Sequence, residues 1–211
     1  RTDGQITEHL RREEPGFVGI SCTTSIFLDG IRIAALVKSV LPGCRVVFGG
    51  THVSALQGRI LENFPEVDFA VIGEGEETLA DLMKNGPTDP SGVQGLAYRS
   101  TGGGVCLTGL RDCGCLELDR LPFPAYEKLE GFPRRAYRLP LFSYPRGPGS
   151  TCAASRGCPY TCSYCDRSVF GKSYRSHSAG YMHAHVRHLR ERFGIRHVLF
   201  YDDQFTLDRT R

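Results

Sequence analysis

Residues 158–165 read Cys-Pro-Tyr-Thr-Cys-Ser-Tyr-Cys, which sets Cys158, Cys162 and Cys165 in a C-x3-C-x2-C run. Cysteine thiolates are the usual ligands of iron–sulfur clusters, and a four-iron cubane needs four ligands. Three ligands from one short loop leave one iron with open positions, where a small molecule bearing an amine and a carboxylate can chelate. Such a loop is a reaction centre in outline, not simply a staple. Gly157 gives backbone freedom entering it, Pro159 stiffens it, and Tyr164 sets an aromatic ring beside the third thiol. The competing reading is a zinc site completed by Cys152 or His177. Structural zinc sites usually show two ligand pairs separated by a longer loop, and the sequence offers no second pair.

A second constellation lies at three expected strand ends: Ser21-Cys22-Thr23-Thr24-Ser25, Gly49-Gly50-Thr51-His52 and Gly73-Glu74-Gly75-Glu76. The carboxyl ends of parallel strands form the ligand crevice of an open α/β sheet. Small and hydroxyl-bearing residues there let a bulky ligand approach the backbone. A third feature is Asp202-Asp203 at the end of a later strand. Carboxylates suit an ammonium partner, and a helix N-cap is an equal rival role. His177, His183, His185, His188 and His197 could suggest a metal, since His185 and His188 are three apart on one helix. With Arg187, Arg190, Glu191 and Arg192 around them, a solvated helix is the better reading. Cys113-x-Cys115 has no further ligands to complete a site.

These residues need elements to position them. Residues 17–22, 45–48 and 67–72 read as buried strands; residues 31–40, 54–64 and 77–85 read as the helices between them. Near-continuously apolar strands separated by helices imply a parallel sheet covered on both faces. Residues 94–99 and 105–108, joined through Thr101-Gly102-Gly103-Gly104, read as a hairpin. The Pro/Gly-rich stretch 133–149 reads as a linker. A strand to residue 155, the cysteine loop, a helix over 178–193 and a strand over 198–201 follow. The expected organisation is residues 1–110 as a doubly wound α/β domain, 111–149 as linker and 150–211 as a second α/β unit.

The chain has 211 residues, 40% of them hydrophobic, which is enough for an ordinary core, and a formal net charge of +3. No basic block is present, so nucleic acid is not indicated. No apolar run approaches the ~18 residues of a membrane span. Nine cysteines is an odd count, with three inside eight residues. Without an export signal, metal ligation in a reducing cytosol fits better than a disulfide framework.

The cysteine run, with an aromatic before its last Cys, resembles the signature of the radical S-adenosylmethionine (SAM) superfamily. That resemblance implies that Cys158, Cys162 and Cys165 ligate a [4Fe-4S] cluster after the first strand of a partial (β/α) barrel. The open iron would hold the amine and carboxylate of SAM. One-electron reduction would cleave SAM to methionine and a 5′-deoxyadenosyl radical, with the electron coming from a donor such as flavodoxin or ferredoxin. Tyr164, Asp202 and Asp203 become candidate SAM contacts, with Tyr-Asp-Asp-Gln standing where the family commonly has Gly-Gly-Glu. The three strand-end motifs, in this order, look like the cobalamin-binding domain that precedes the barrel in class B members, which include methyltransferases and anaerobic magnesium-protoporphyrin ester cyclases. Ser21, Thr23, Ser25, Gly49, Gly50, His52, Gly73, Glu74 and Gly75 are then the corrinoid-binding candidates. The fold expected is a Rossmann-like (flavodoxin-like) parallel-sheet domain followed by the first units of the barrel.

One departure concerns the corrinoid's lower ligand. The family's Asp-x-His-x-x-Gly motif is absent, and its place falls before residue 1. His52 lies in the wrong motif to inherit that role and reads as a loop hydrogen-bonder. Two alternatives stand beside this reading. One is a cobalamin-free, methylthiotransferase-like enzyme with Cys22 and Cys44 as ligands of an extra cluster; the other is a non-catalytic corrinoid or cluster carrier. Because 62 residues hold too little of a barrel of ~250 residues, the chain is expected to be a fragment. Its substrate is expected to be a small molecule.

Overall fold

The computed structural model describes residues 2–85, 88–112, 116–133, 137 and 147–208. Cys113 and Cys115, and most of the proline- and glycine-rich stretch, lie outside the described residues. The chain divides into two compact units, Arg1–Cys113 with Asp166–Val169, and Gly114–Cys165 with Phe170–Arg211.

The first unit opens on α1 (Asp3–Glu13), a helix that the hydrophobic pattern did not announce. Its signal was local: Thr2 and Gln5 form a capping box, each side chain satisfying the other's backbone N–H. Then come β1 (Phe17–Ser21), α2 (Phe27–Val40) and β2 (Arg45–Gly49). The expected helix over residues 54–64 is instead two short ones, α3 (Thr51–Leu56) and α4 (Arg59–Asn63). The chain breaks between them at Gln57, where φ is 52°. Gly58 follows because a Cβ there would lie 3.1 Å from a methyl of Val105. β3 (Phe69–Val71) and α5 (Gly75–Asn85) complete the alternation.

Strands β1, β2 and β3 are parallel neighbours. The hairpin β4 (Leu96–Arg99) and β5 (Val105–Leu107) does not stand apart; β4 pairs antiparallel with β3. The result is one five-stranded mixed sheet in the order β1-β2-β3-β4-β5. Arg99 locks the hairpin down by donating to the carbonyls of Leu61, Val67 and Phe64, the last at 2.9 Å. Both sheet faces are covered. Val46, Phe48, Ala70 and Ile72 pack with Leu10, Phe27, Ala34, Val37, Val53 and Ile60 on one side. Val47, Phe69, Val71 and Leu96 pack with Leu82 and Val93 on the other. The period-2 alternation along β2 accounts for this two-sided burial, as a doubly wound sheet requires.

The second unit is built on β6 (Gly149–Cys152) and β9 (His197–Phe200), paired in parallel and connected through α6 (Ala179–Phe193). Ser178 caps the start of α6 by accepting from Tyr181 N, and Gly194 ends it in the left-handed region. Between β6 and α6 the short strands β7 (Ser155–Arg156) and β8 (Arg175–Ser176) pair antiparallel and close a long loop. The core holds Tyr126, Cys152, Ala154, Met182, Leu189 and Ile195.

Here α6 departs from the solvated helix expected from its charges. His185 is buried, with its Nε2 3.0 Å from the Tyr126 hydroxyl and its ring stacked on Phe123 at 4.8 Å. His177 is buried too, its Nδ1 3.1 Å from Asp119 Oδ1. The segment around residues 117–132 supplies these partners, so the aromatic residues before the helix decided what its charges could not. Among the described residues, no helix is long and apolar enough to cross a membrane.

Two outcomes follow. Gly50 has φ of 103° and ψ of −178°, a region essentially reserved for glycine, and a Cβ there would lie 2.5 Å from Cys22 O. Gly50→Ala should lower unfolding stability by roughly 3 kcal/mol in urea titrations. His185 has its pKa pushed below 6.5 by burial, and further by the neighbouring His177 and His188. The unfolded chain therefore takes up a proton near pH 6.5 that the native state refuses. Stability is full above that value and is lost as pH falls toward the depressed native pKa. Urea midpoints measured from about pH 7.5 down to about pH 5 should fall, and the fall should be shallower in His185→Gln.

Candidate cofactor sites

In the first unit the candidate residues cluster at the carboxyl ends of β1, β2 and β3. The three ends are tied together by hydrogen bonds that free backbone groups of the core would otherwise lack. Cys22 N donates to Gly49 O at 2.9 Å. Ser54, which the sequence reading passed over, donates to Gly50 O at 3.0 Å and accepts from Gly73 N at 3.0 Å. It is 1% exposed, so this one hydroxyl joins the β2 and β3 ends from inside. The signal that could have found it is a small polar residue directly after Val53 on the buried face of a short helix. Thr23 and Ser25 hydrogen-bond each other at 3.0 Å, and His52 Nδ1 lies 3.1 Å from Thr24 Oγ1 with its ring against Phe27.

Toward solvent, the same edge is small and polar. Ser21, Thr23 and Ser25 are exposed, and Gly49, Gly50, Gly73, Glu74 and Gly75 are half-buried. A Cβ placed on Gly49 would meet nothing within 4 Å. The edge therefore combines accessible hydroxyls, bare backbone and open room. That chemistry fits a corrinoid, whose nucleotide tail and amide side chains need hydrogen-bond partners and close approach to the main chain. Cys22 and Cys44 do not share this edge. Both are buried, burial raises both thiols, and Cys22 Sγ packs where a Cβ on Gly30 would come within 2.6 Å. A thiol used as core filling in this way is a poor cluster ligand.

In the second unit the cysteine loop rises from the β7–β8 pair. Gly157 has φ of 80°, and a Cβ on it would lie 2.1 Å from Ser173 O. The loop entrance thus admits only glycine. Cys158 is half-buried, while Cys162 and Cys165 are exposed, with Cys165 N donating to Cys162 O at 3.2 Å. Tyr164 is 90% exposed, its ring directed away from any core. Among the described residues no three His, Cys, Asp or Glu side chains stand already gathered around one point. The donor set nonetheless suits an iron–sulfur cluster: three soft thiols on one turn-rich loop, without a carboxylate or imidazole competing in the run.

The zinc alternatives are otherwise engaged. Cys152 lies in the core, where burial pushes its thiol up to about 11, and His177 is held by Asp119. The aspartate pair also separates. Asp202 is half-buried and accepts from Ala154 N and Ser155 Oγ, whereas Asp203 is exposed. Residues 203–207 are turns and a bend, so neither aspartate caps a helix among the described residues.

Several known proteins resemble this chain. Residues 2–83 match the B12-binding domain family. The chain is 32% identical over 216 residues to a Pyrococcus horikoshii protein named uncharacterized methyltransferase PH0819, covering all of this chain and 44% of that protein. It is 32% identical over 158 residues to the cobalamin-dependent radical SAM methyltransferase TokK of Streptomyces tokunonensis, covering 72% of this chain and 22% of TokK. The fold is similar to that of the cobalamin-dependent S-adenosylmethionine radical enzyme OxsB, solved with aqua-cobalamin and S-adenosylmethionine bound. That match has a TM-score of 0.70 at 20% identity and covers 97% of this chain and 28% of OxsB. The chain spans less than half the length of the curated relatives it matches. With a B12-binding domain over residues 2–83 followed by a C-x3-C-x2-C loop on a parallel β/α/β unit, the chain belongs to the radical SAM proteins that carry a cobalamin-binding domain.

Proposed function

We propose that this chain carries the cofactor-binding half of a cobalamin-dependent radical SAM methyltransferase acting on a small molecule. The observation that carries the reading is the pairing of the glycine- and hydroxyl-lined strand edge with the three-thiol loop in one polypeptide. Its relatives named as methyltransferases PH0819 and TokK are 32% identical, against 26–30% for those named as anaerobic magnesium-protoporphyrin IX monomethyl ester cyclases, which favours methyl transfer over cyclisation. A [4Fe-4S] cluster with one open iron supplies one-electron reduction of SAM, and a corrinoid supplies a transferable methyl group.

The residues divide the work. Cys158, Cys162 and Cys165 would hold three irons, and the exposure of Cys162 and Cys165 leaves the loop able to close around them. Tyr164 and Asp203, both exposed, remain as groups that can shape the surroundings of a ligand. Ser21, Thr23 and Ser25 would donate to the corrinoid's polar periphery, while Gly49 leaves room for its tail. Gly50, Ser54 and Gly73 hold the strand ends in register beneath it. A low-potential electron donor, a flavodoxin or ferredoxin, would reduce the cluster. An oxygen-sensitive cluster of this kind fits the reducing cytosol.

The test is anaerobic reconstitution of the chain with iron, sulfide and hydroxocobalamin. Iron and corrinoid absorption should both appear. Replacing Cys158, Cys162 or Cys165 with Ala should lower bound iron about tenfold while corrinoid binding persists. Retention of iron in all three variants would remove the ligand assignment. Gly49→Ala adds a Cβ that meets nothing within 4 Å, so it should weaken corrinoid binding with an unchanged urea midpoint; unchanged binding would place the corrinoid elsewhere.

A further inference from the structure

The cysteine loop is a long excursion between two strands of two residues each, and so short a pairing is marginal by itself. Other elements pin its feet. On the returning side, His177 N donates to Ala154 O at 2.9 Å, and Asp119 Oδ1 accepts from Ser178 N at 3.0 Å. On the outgoing side the support is Asp202. Its Oδ1 and Oδ2 accept from Ala154 N at 3.0 and 3.1 Å, and Oδ1 also accepts from the Ser155 hydroxyl. Ala154 and Ser155 are both buried.

The fold delivers this carboxylate by register. Cys152 lies opposite Phe200 in the parallel β6–β9 pair, and Tyr201 N donates to Cys152 O at 2.8 Å. Two residues further along each chain, residue 202 therefore faces residue 154. A carboxylate has about four acceptor positions, and three of those on Asp202 are taken by donors that launch the loop. Asp203, one residue on, is exposed and makes no such commitment.

We propose that Asp202 is a positioning residue of the cysteine loop: it acts through Ala154 and Ser155, four and three residues ahead of Cys158, rather than by contacting the amine of SAM. The assignment rests on the cluster reading only for its functional consequence. The clamp is charge-assisted, and it meets the buried Ala154 and Ser155 where the backbone leaves the core and turns outward. Removing it takes the carboxylate away from the buried Ala154 N–H and the Ser155 hydroxyl and loosens the outgoing strand.

Two readouts test this. In the chain without iron, trypsin cleavage at Arg167 or Lys172 reports loop opening; Asp202→Ala should be cut roughly tenfold faster than wild type and Asp202→Asn less so. Asp203→Ala should match wild type. After anaerobic reconstitution, Asp202→Ala should lose iron to a chelator roughly tenfold faster and show an altered electron paramagnetic resonance signal of the reduced cluster, with Asp202→Asn intermediate. Where circular dichroism shows Asp202→Ala unfolded, Ser155→Ala carries both comparisons, since it removes one donor and keeps the charge. Wild-type cleavage and iron retention, with a change only in how added SAM perturbs the signal, would overturn the proposal and return Asp202 to the SAM amine. If wild type takes up no iron, the cluster reading fails by itself, and the cleavage rates still decide whether the clamp exists.

Discussion

A parallel strand that ends inside a core leaves peptide N–H and C=O groups with no ladder partner, and leaving them unpaired costs about 1–3 kcal/mol each. Both units are organised around meeting that demand at the carboxyl ends of their strands. In the first, Ser54 accepts from Gly73 N and donates to Gly50 O, so one buried hydroxyl serves two strand ends. In the second, Asp202 accepts from Ala154 N where β6 gives way to the loop. Each supplier comes from an adjacent element whose packing fixes its place.

The same demand explains where accessible chemistry is left. Strand ends satisfied from within keep their outward surface free of bulky side chains. Gly49 faces open space, and Ser21, Thr23 and Ser25 are exposed. The cysteine loop shows the complementary case. Its feet are held by the half-buried carboxylate of Asp202 and the exposed one of Asp119, and its entrance by a glycine with no room for a Cβ, while Cys162 and Cys165 stay exposed. Rigid support beneath adaptable donors suits a cofactor that is bound after folding.

Much of this was legible in the residues. The apolar runs at 17–22, 45–48 and 67–72 carry enough β-branched and aromatic side chains to mark strands, and all three form, although β1 lies at the sheet edge and is half-buried or exposed throughout. The Gly-rich turn after residue 100 marks the hairpin, and Ser178 with Gly194 marks the ends of α6. What escaped was long-range. The joining of the hairpin to β3 depends on Arg99 reaching the carbonyls of Leu61, Phe64 and Val67, more than 30 residues away. The tight fit of Gly58, just past the break at Gln57, depends on Val105, whose methyl would lie 3.1 Å from a Cβ there. Neither has a local signal.

The histidines of α6 and the aspartates after β9 mark the same boundary. Spacing and neighbouring charges made His185 look solvated, yet Phe123 and Tyr126 bury it from a segment some 60 residues earlier. Asp202 and Asp203 are identical in type and adjacent, and only the β6–β9 register sends one carboxylate onto Ala154 and the other to solvent. The amino-acid sequence by itself determined the family, most of the strand–helix alternation and the spacing of the three thiols, because periodicity, turn residues and motif spacing are properties of nearby positions. Which polar groups are consumed in holding the sites together, and which remain to meet a cofactor, was decided only by the tertiary structure, because burial and hydrogen bonding are set by residues far apart in the chain.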